Sequence, residues 1–100
     1  MPTAYITAPP EAAADLAERL VEEQLAACVN RLACESTYRW EGEVVHDDEV
    51  VLLAKTTAER YPDLEARVEE LHPYEVPCIE RFDEAAMLES FAGWRDESVR

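Results

Sequence analysis

Glycine is nearly absent from this chain of 100 residues: Gly42 and Gly93 are the only two. A phosphate-cradling loop needs several glycines at close spacing, so a Walker or Rossmann nucleotide site is excluded. Lysine is scarcer still, with Lys55 alone among 9 basic residues that face 23 acidic ones. A net charge of −14 excludes nucleic acid as a partner, since that affinity rests on Lys and Arg neutralising phosphates. It equally disfavours anionic membranes. No apolar run approaches the roughly 18–20 residues needed to cross a bilayer. The N-terminal Met1-Pro2-Thr3-Ala4-Tyr5 carries no basic leader and no signal-type apolar segment, so a cytoplasmic location is expected. The three cysteines, Cys28, Cys34 and Cys78, make no Cys-x-x-Cys pair and leave an odd count. That fits a reducing compartment and argues against a disulfide scaffold or structural zinc.

What the chain has in excess is acid. At 1 M salt the Debye length shrinks to about 3 Å, which screens the self-repulsion of so many carboxylates. The composition is therefore that expected of a halophilic protein. Apolar residues make up 48%, enough for one globular domain over 1–100 with a modest core. A domain this small gains from burying further surface in an oligomer.

Hydrophobic periodicity sets out the elements. Thr3 to Ala8 is β-prone and stops at Pro9-Pro10. Pro10 suits a first helical position, and Ala13, Leu16, Ala17, Leu20 and Val21 follow at helical spacing, predicting a helix over about 10–25. Cys28 to Leu32 and Ser36 to Glu41 read as two parts of one strand, kinked around Ala33-Cys34-Glu35, with Tyr38 and Trp40 on one face and Thr37 and Arg39 on the other. Gly42 permits a tight reversal, the polar run His46-Asp47-Asp48-Glu49 reads as a solvated hairpin tip, and Val50 to Ala54 as a central strand. Thr56-Thr57-Ala58-Glu59 is a capping-box pattern, with the helix start falling between Thr57 and Tyr61. Tyr61, Leu64, Val68 and Leu71 form its apolar face. Two prolines bracket His72-Pro73-Tyr74-Glu75-Val76-Pro77 and mark a helix-to-strand junction. Val76 to Phe82 is the next strand, and Ala85 to Ser98 a last helix with Leu88, Phe91 and Trp94 on one side. The order β-α-β-β-α-β with a trailing helix is an α+β, ferredoxin-like arrangement.

Catalytic chemistry finds no foothold. Cys28 sits between Ala27 and Val29, surroundings that raise a thiol's pKa and leave it inert. Ser36, Ser90 and Ser98 lie in no elbow motif. The chain is not expected to be an enzyme. Metal ligands are few, because His46 and His72 are the only imidazoles. Copper(II) favours imidazole and the reduced ion favours thiolate, so His72, His46 and Cys78 are the candidate ligands. His72 reads first as a junction residue and second as a ligand.

Five strings in register carry a resemblance to a known family. They are Ile6-Thr7-Ala8-Pro9, Leu25 to Asn30, Ser36 to Gly42, Glu49 to Thr56 and the His72 to Pro77 block, closing on Phe91 and Trp94. Together they resemble the CutA family of small trimeric proteins named for tolerance to divalent cations such as copper. The resemblance implies a ferredoxin-like homotrimer whose hairpins extend the sheets of neighbouring subunits, with Tyr38, Trp40, Phe91 and Trp94 as interface candidates. It also implies a role in divalent-cation, chiefly copper, tolerance. No cofactor is required, with Cu(II) or another divalent cation as the possible ligand. Some relatives are assigned a copper site from a cysteine ahead of Thr-Ala-Pro and a His-His pair before Pro-Tyr. Those positions read Ile6 and Leu71-His72 here, so two of the three ligands are missing. The family's likeness to PII-type regulatory trimers gives an alternative, a small-ligand cleft between subunits lined by Arg39, Glu41, Lys55, Tyr74, Glu75 and Trp94. A purely structural scaffold trimer is the third reading.

Overall fold

A computed structural model describes residues 2–100. Its elements run β1 (Pro2–Ala8), α1 (Pro10–Glu22), β2 (Cys28–Trp40), β3 (Glu43–Lys55), α2 (Tyr61–Leu71), β4 (Ile79–Asp83) and α3 (Glu89–Ser98). The four strands form one antiparallel sheet in the order β2-β3-β1-β4. This is the ferredoxin-like order of elements expected from the sequence.

Period-two alternation places the core. Ala4, Ile6 and Ala8 of β1 and Leu52 and Ala54 of β3 are buried on one face of the sheet. They pack against Ala13, Leu16, Ala17 and Leu20 of α1 and Tyr61, Leu64 and Val68 of α2 in a single cluster. Leu71, the last residue of the predicted α2 face, is half-buried against that cluster. α1 starts on the Pro9-Pro10 pair with no side-chain cap, as the lack of a capping residue there predicts. The face of the sheet turned away from α1 and α2 is the open face. It carries Thr3, Tyr5 and Thr7 from β1, all half-buried.

Four expectations need correction. β2 is not kinked at Ala33-Cys34-Glu35: it pairs with β3 in unbroken register from Cys28↔Lys55 to Trp40↔Glu43. The polar residues that suggested a break simply alternate between faces of a strand with little core beneath it. The run His46 to Glu49 is not the hairpin tip but lies within β3, opposite Thr37 to Cys34. The tip is Glu41-Gly42, a two-residue turn with φ of 50° and 82°. Positive φ at both positions is the type I′ geometry that matches strand twist. The later elements begin further along than predicted. β4 starts at Ile79, beyond Pro77, which has no N–H to give to a ladder, and α3 starts at Glu89.

β1 leaves β3 at the pair Ala8↔Val50. Beyond it, Cys34 to Glu49 pair only with each other, a two-stranded ribbon that projects about 24 Å past the body at ~3.4 Å per residue. The molecule measures 45 × 25 × 20 Å as a result. At the opposite end, α3 is tied down by charge. Arg95, 5% exposed, faces Glu84 at 3.6 Å and Asp96 at 3.0 Å, while Glu84 Oε2 accepts from Thr3 Oγ1 at 3.2 Å.

Candidate functional site

The open face holds a pocket of about 600 Å³ between the ribbon and the loop before β4. Ser36, Tyr38 and Trp40 of β2, on one face of the strand, enter it with their neighbour Thr37, together with Tyr5 and Thr7 of β1 and Glu49 of β3. Tyr74, Val76, Cys78 and Glu80 close the far side. Glu49 is the hub. Although charged, it is only 6% exposed, and its Oε2 accepts a hydrogen bond from the Tyr74 hydroxyl at 3.0 Å. Tyr38 similarly donates to Asp47 Oδ2.

His72 positions Tyr74. It is 7% exposed at the end of α2, its Nε2 lies 2.8 Å from the Thr7 carbonyl oxygen, and the Tyr74 N–H donates to its Nδ1 at 3.1 Å. A carbonyl can only accept and an amide N–H can only donate. The ring is therefore the neutral tautomer with its proton on Nε2, and both nitrogens are engaged. His72 ties β1, α2 and the pocket loop together, the junction role predicted for it. A copper ion at His72 would have to displace one of these two bonds.

The other ligand candidates stand apart. His46 lies exposed on the ribbon with Nδ1 3.1 Å from Thr37 Oγ1. Along a strand His46 and Asp48 face one way and Asp47 and Glu49 the other, so the run does not converge on one point. Cys78 lines the pocket and donates to Glu80 Oε1 at 3.5 Å; burial first, then that bond, pushes its thiol pKa up. Among the described residues no group of three or more His, Cys, Asp or Glu side chains is placed to hold a metal ion.

The six residues assigned to a cleft do not meet within one chain. Arg39 and Glu41 sit at the ribbon tip, where Arg39 Nη1 donates to the Gly42 carbonyl at 3.2 Å. Lys55 ends β3, about 37 Å away along the strand, and donates to Asn30 Oδ1 at 3.2 Å. Glu75 is exposed in the pocket loop, and Trp94 lies on α3 against Phe91, ring centroids 5.5 Å apart. Only Tyr74 of the six lines the pocket. Of the interface candidates, Tyr38, Trp40 and Trp94 are 37%, 43% and 48% exposed, and Phe91 is half-buried. Sequence reasoning missed Glu49 as an individual, together with Tyr5 and Glu80. The signal available was alternation, which sets Cys34, Ser36, Tyr38 and Trp40 on one face.

The family model for CutA1, divalent ion tolerance protein, matches residues 3–98. The chain belongs to this family. The CutA divalent-cation tolerance protein of Thermus thermophilus is 47% identical over 96 residues, covering 94% of this chain and 93% of that protein. The crystal structure of CutA1 from Pyrococcus horikoshii superposes with a TM-score of 0.96 at 35% identity, over 100% of this chain and 99% of that one. The structure of the protein described as PII-like CutA from Nostoc sp. gives 0.96 at 34% identity, over 100% and 98%. At these identities the CutA match carries the resemblance read from the motifs, and the ferredoxin-like fold with it.

All four tyrosines of this CutA chain have pKa values above the ordinary phenol range. Burial is the main cause at Tyr5, Tyr61 and Tyr74, and the hydrogen bond to Asp47 at Tyr38. The fold thus prefers the neutral phenols. Their stabilisation is complete below the unfolded tyrosine value, about pH 10, and is lost as pH rises through the higher folded values. The urea midpoint is expected to fall steadily above pH 10. A profile that stays flat well above pH 10, where the unfolded phenols ionise, would contradict this.

Proposed function

We propose that this chain serves divalent-cation tolerance as a homotrimer, with the open-face pocket as its ligand site. The observation that carries the trimer is the ribbon from Cys34 to Glu49, which among the described residues has no third strand along either edge. An isolated two-stranded hairpin is marginal in water, and an exposed edge 13 residues long invites pairing with another chain. Exposed Trp40, Val44, Val76, Phe82, Leu88 and Trp94 supply apolar surface for that contact.

The protein is proposed to act by binding rather than catalysis, a reading supported by a pocket thiol, Cys78, whose burial and bond to Glu80 favour the less nucleophilic neutral form. Copper(II) is not favoured over other divalent ions, because the pocket's charged groups are carboxylates, hard oxygen donors. A small-ligand regulatory role is the second reading, favoured by the pocket itself and by the likeness to the Nostoc protein described as PII-like. A cytoplasmic location belongs to the same proposal, supported by three free cysteines.

Sedimentation equilibrium in about 2–3 M salt, where charge is screened, is expected to give close to three times the 11.4 kDa chain mass. A stable monomer there would overturn the proposal.

A further inference from the structure

We propose that a second pocket, at the end of the molecule opposite the ribbon, takes a small oxyanion that keeps a hydroxyl hydrogen, inorganic phosphate being the simplest. The pocket holds about 580 Å³ between the loop that leads into α2 and the end of α3. Arg60, Arg95 and Arg100 line it with Thr57, Glu59 and Asp96. Three of the 8 arginines, the 9 basic residues less Lys55, thus meet at one place. Cations outnumber carboxylates in this lining, in a chain whose net charge is −14. The site also lies clear of the side of α3 that carries the aromatic contact candidates. At about 100° per residue, Asp96 and Arg100 sit roughly 140° and 180° around the helix from Phe91, and about 160° and 120° from Trp94.

The three guanidiniums play different parts. Arg95 is buried and spent: its Nε and Nη2 donate to Asp96 Oδ1 at 3.1 and 3.0 Å, and its Nη1 reaches Met87 Sδ at 3.6 Å. It supplies charge at the base of the site. Arg60 is held by its Nε, which donates to the Val99 carbonyl at 2.9 Å. Its Nη1 meets Asp63 at 3.4 Å, and Arg100 Nη2 meets Glu97 at 3.4 Å. Such exposed single-contact pairs contribute little. A guanidinium has five N–H donors, so both side chains can still turn a fork toward an oxyanion. Thr57 Oγ1 accepts from the Arg60 N–H at 3.2 Å, which leaves its own hydrogen to donate. The carboxylates decide which oxyanion fits. With Asp96 Oδ1 taken by Arg95, Oδ2 and the Glu59 carboxylate are acceptors. Sulfate has no hydrogen to give them and meets only repulsion. Phosphate near neutral pH keeps at least one P–OH and can donate to either.

Potassium phosphate is the probe, titrated calorimetrically near neutral pH in about 2 M potassium chloride, where long-range charge is screened. Potassium sulfate is the control. Saturable binding of one phosphate per chain is expected, with sulfate weaker by about ten-fold or more. Arg60→Gln and Arg100→Gln are each expected to weaken phosphate by about ten-fold. Arg100 is exposed, so its variant stands in should the Arg60 variant not fold. Glu59→Gln, which removes a negative charge from the lining, is expected to bring sulfate closer to phosphate. Equal binding of the two anions would overturn the inference. So would phosphate binding unchanged in both arginine variants, which would put the ion elsewhere, or no heat up to about 10 mM phosphate, weaker than a millimolar site.

Discussion

His72→Ala is expected to lose about 3 kcal/mol of folding stability, from two part-buried backbone groups left unpaired at ~1–3 kcal/mol each, toward the lower end because water can reach them. The Thr7 carbonyl loses its donor and the Tyr74 N–H its acceptor, and the packing of the imidazole against the Tyr74 ring, centroids 4.8 Å apart, is lost as well. Freed of His72, Tyr74 has less to hold it against Glu49, so ligand binding in the pocket should weaken together with stability. His72→Gln, which offers both a donor and an acceptor, is expected to recover part of the loss. Urea unfolding of the three proteins decides the matter. Equal midpoints for all three would mean that His72 is no structural tie, and would reopen it as a metal ligand.

Removing salt is the second large effect. On dialysis from about 2–3 M to ~0.1 M salt, the Debye length grows from roughly 2 Å to about 10 Å, and the protein's carboxylates begin to repel one another. Few cations are free to offset them. Arg19, Arg60, Arg67, Arg81, Arg95 and Arg100 each already pair with an Asp or Glu. The ribbon adds Glu35, Glu41, Glu43, Asp47 and Asp48, all exposed, and a trimer would triple the total charge. The melting temperature is expected to drop by on the order of 10 °C or more, a few kcal/mol for a domain of this size. Indifference to salt would dismiss the halophilic reading and leave an ordinary acidic protein. The excess acid would then be a matter of solubility alone.

Most of the fold was legible because each element announces itself locally. The 3.6-residue spacing of Leu16, Leu20, Leu64 and Val68 and the alternation of Ala4, Ile6 and Ala8 identify the helix-covered face without knowledge of any partner strand. The ribbon was harder. Its residues have little core to face, so the burial that normally stamps a pattern on a strand is missing there, and His46-Asp47-Asp48-Glu49 looked like a turn. The pocket was harder again. Glu49 and Tyr74 are 25 residues apart and meet only through the sheet register and the His72 bond. His72 could be singled out by its place before Pro73, yet its tautomer depends on a carbonyl from Thr7, 65 residues away. No spacing rule reaches that far.

The ribbon also sets how lineages of this protein can vary in length. Beyond Ala33↔Val50 its strands pair in the sheet only with each other, so the arm can be extended or trimmed without disturbing the pairing of the body. Side chains alternate faces with a period of two. The permitted step is therefore two residues in each strand, about 7 Å of reach, while one residue in each, inserted between Ala33 and Tyr38 and opposite it in β3, would turn Tyr38 and Trp40 to the wrong side. Arm length is a trait open to selection in discrete increments, and it would govern which copies can assemble with which.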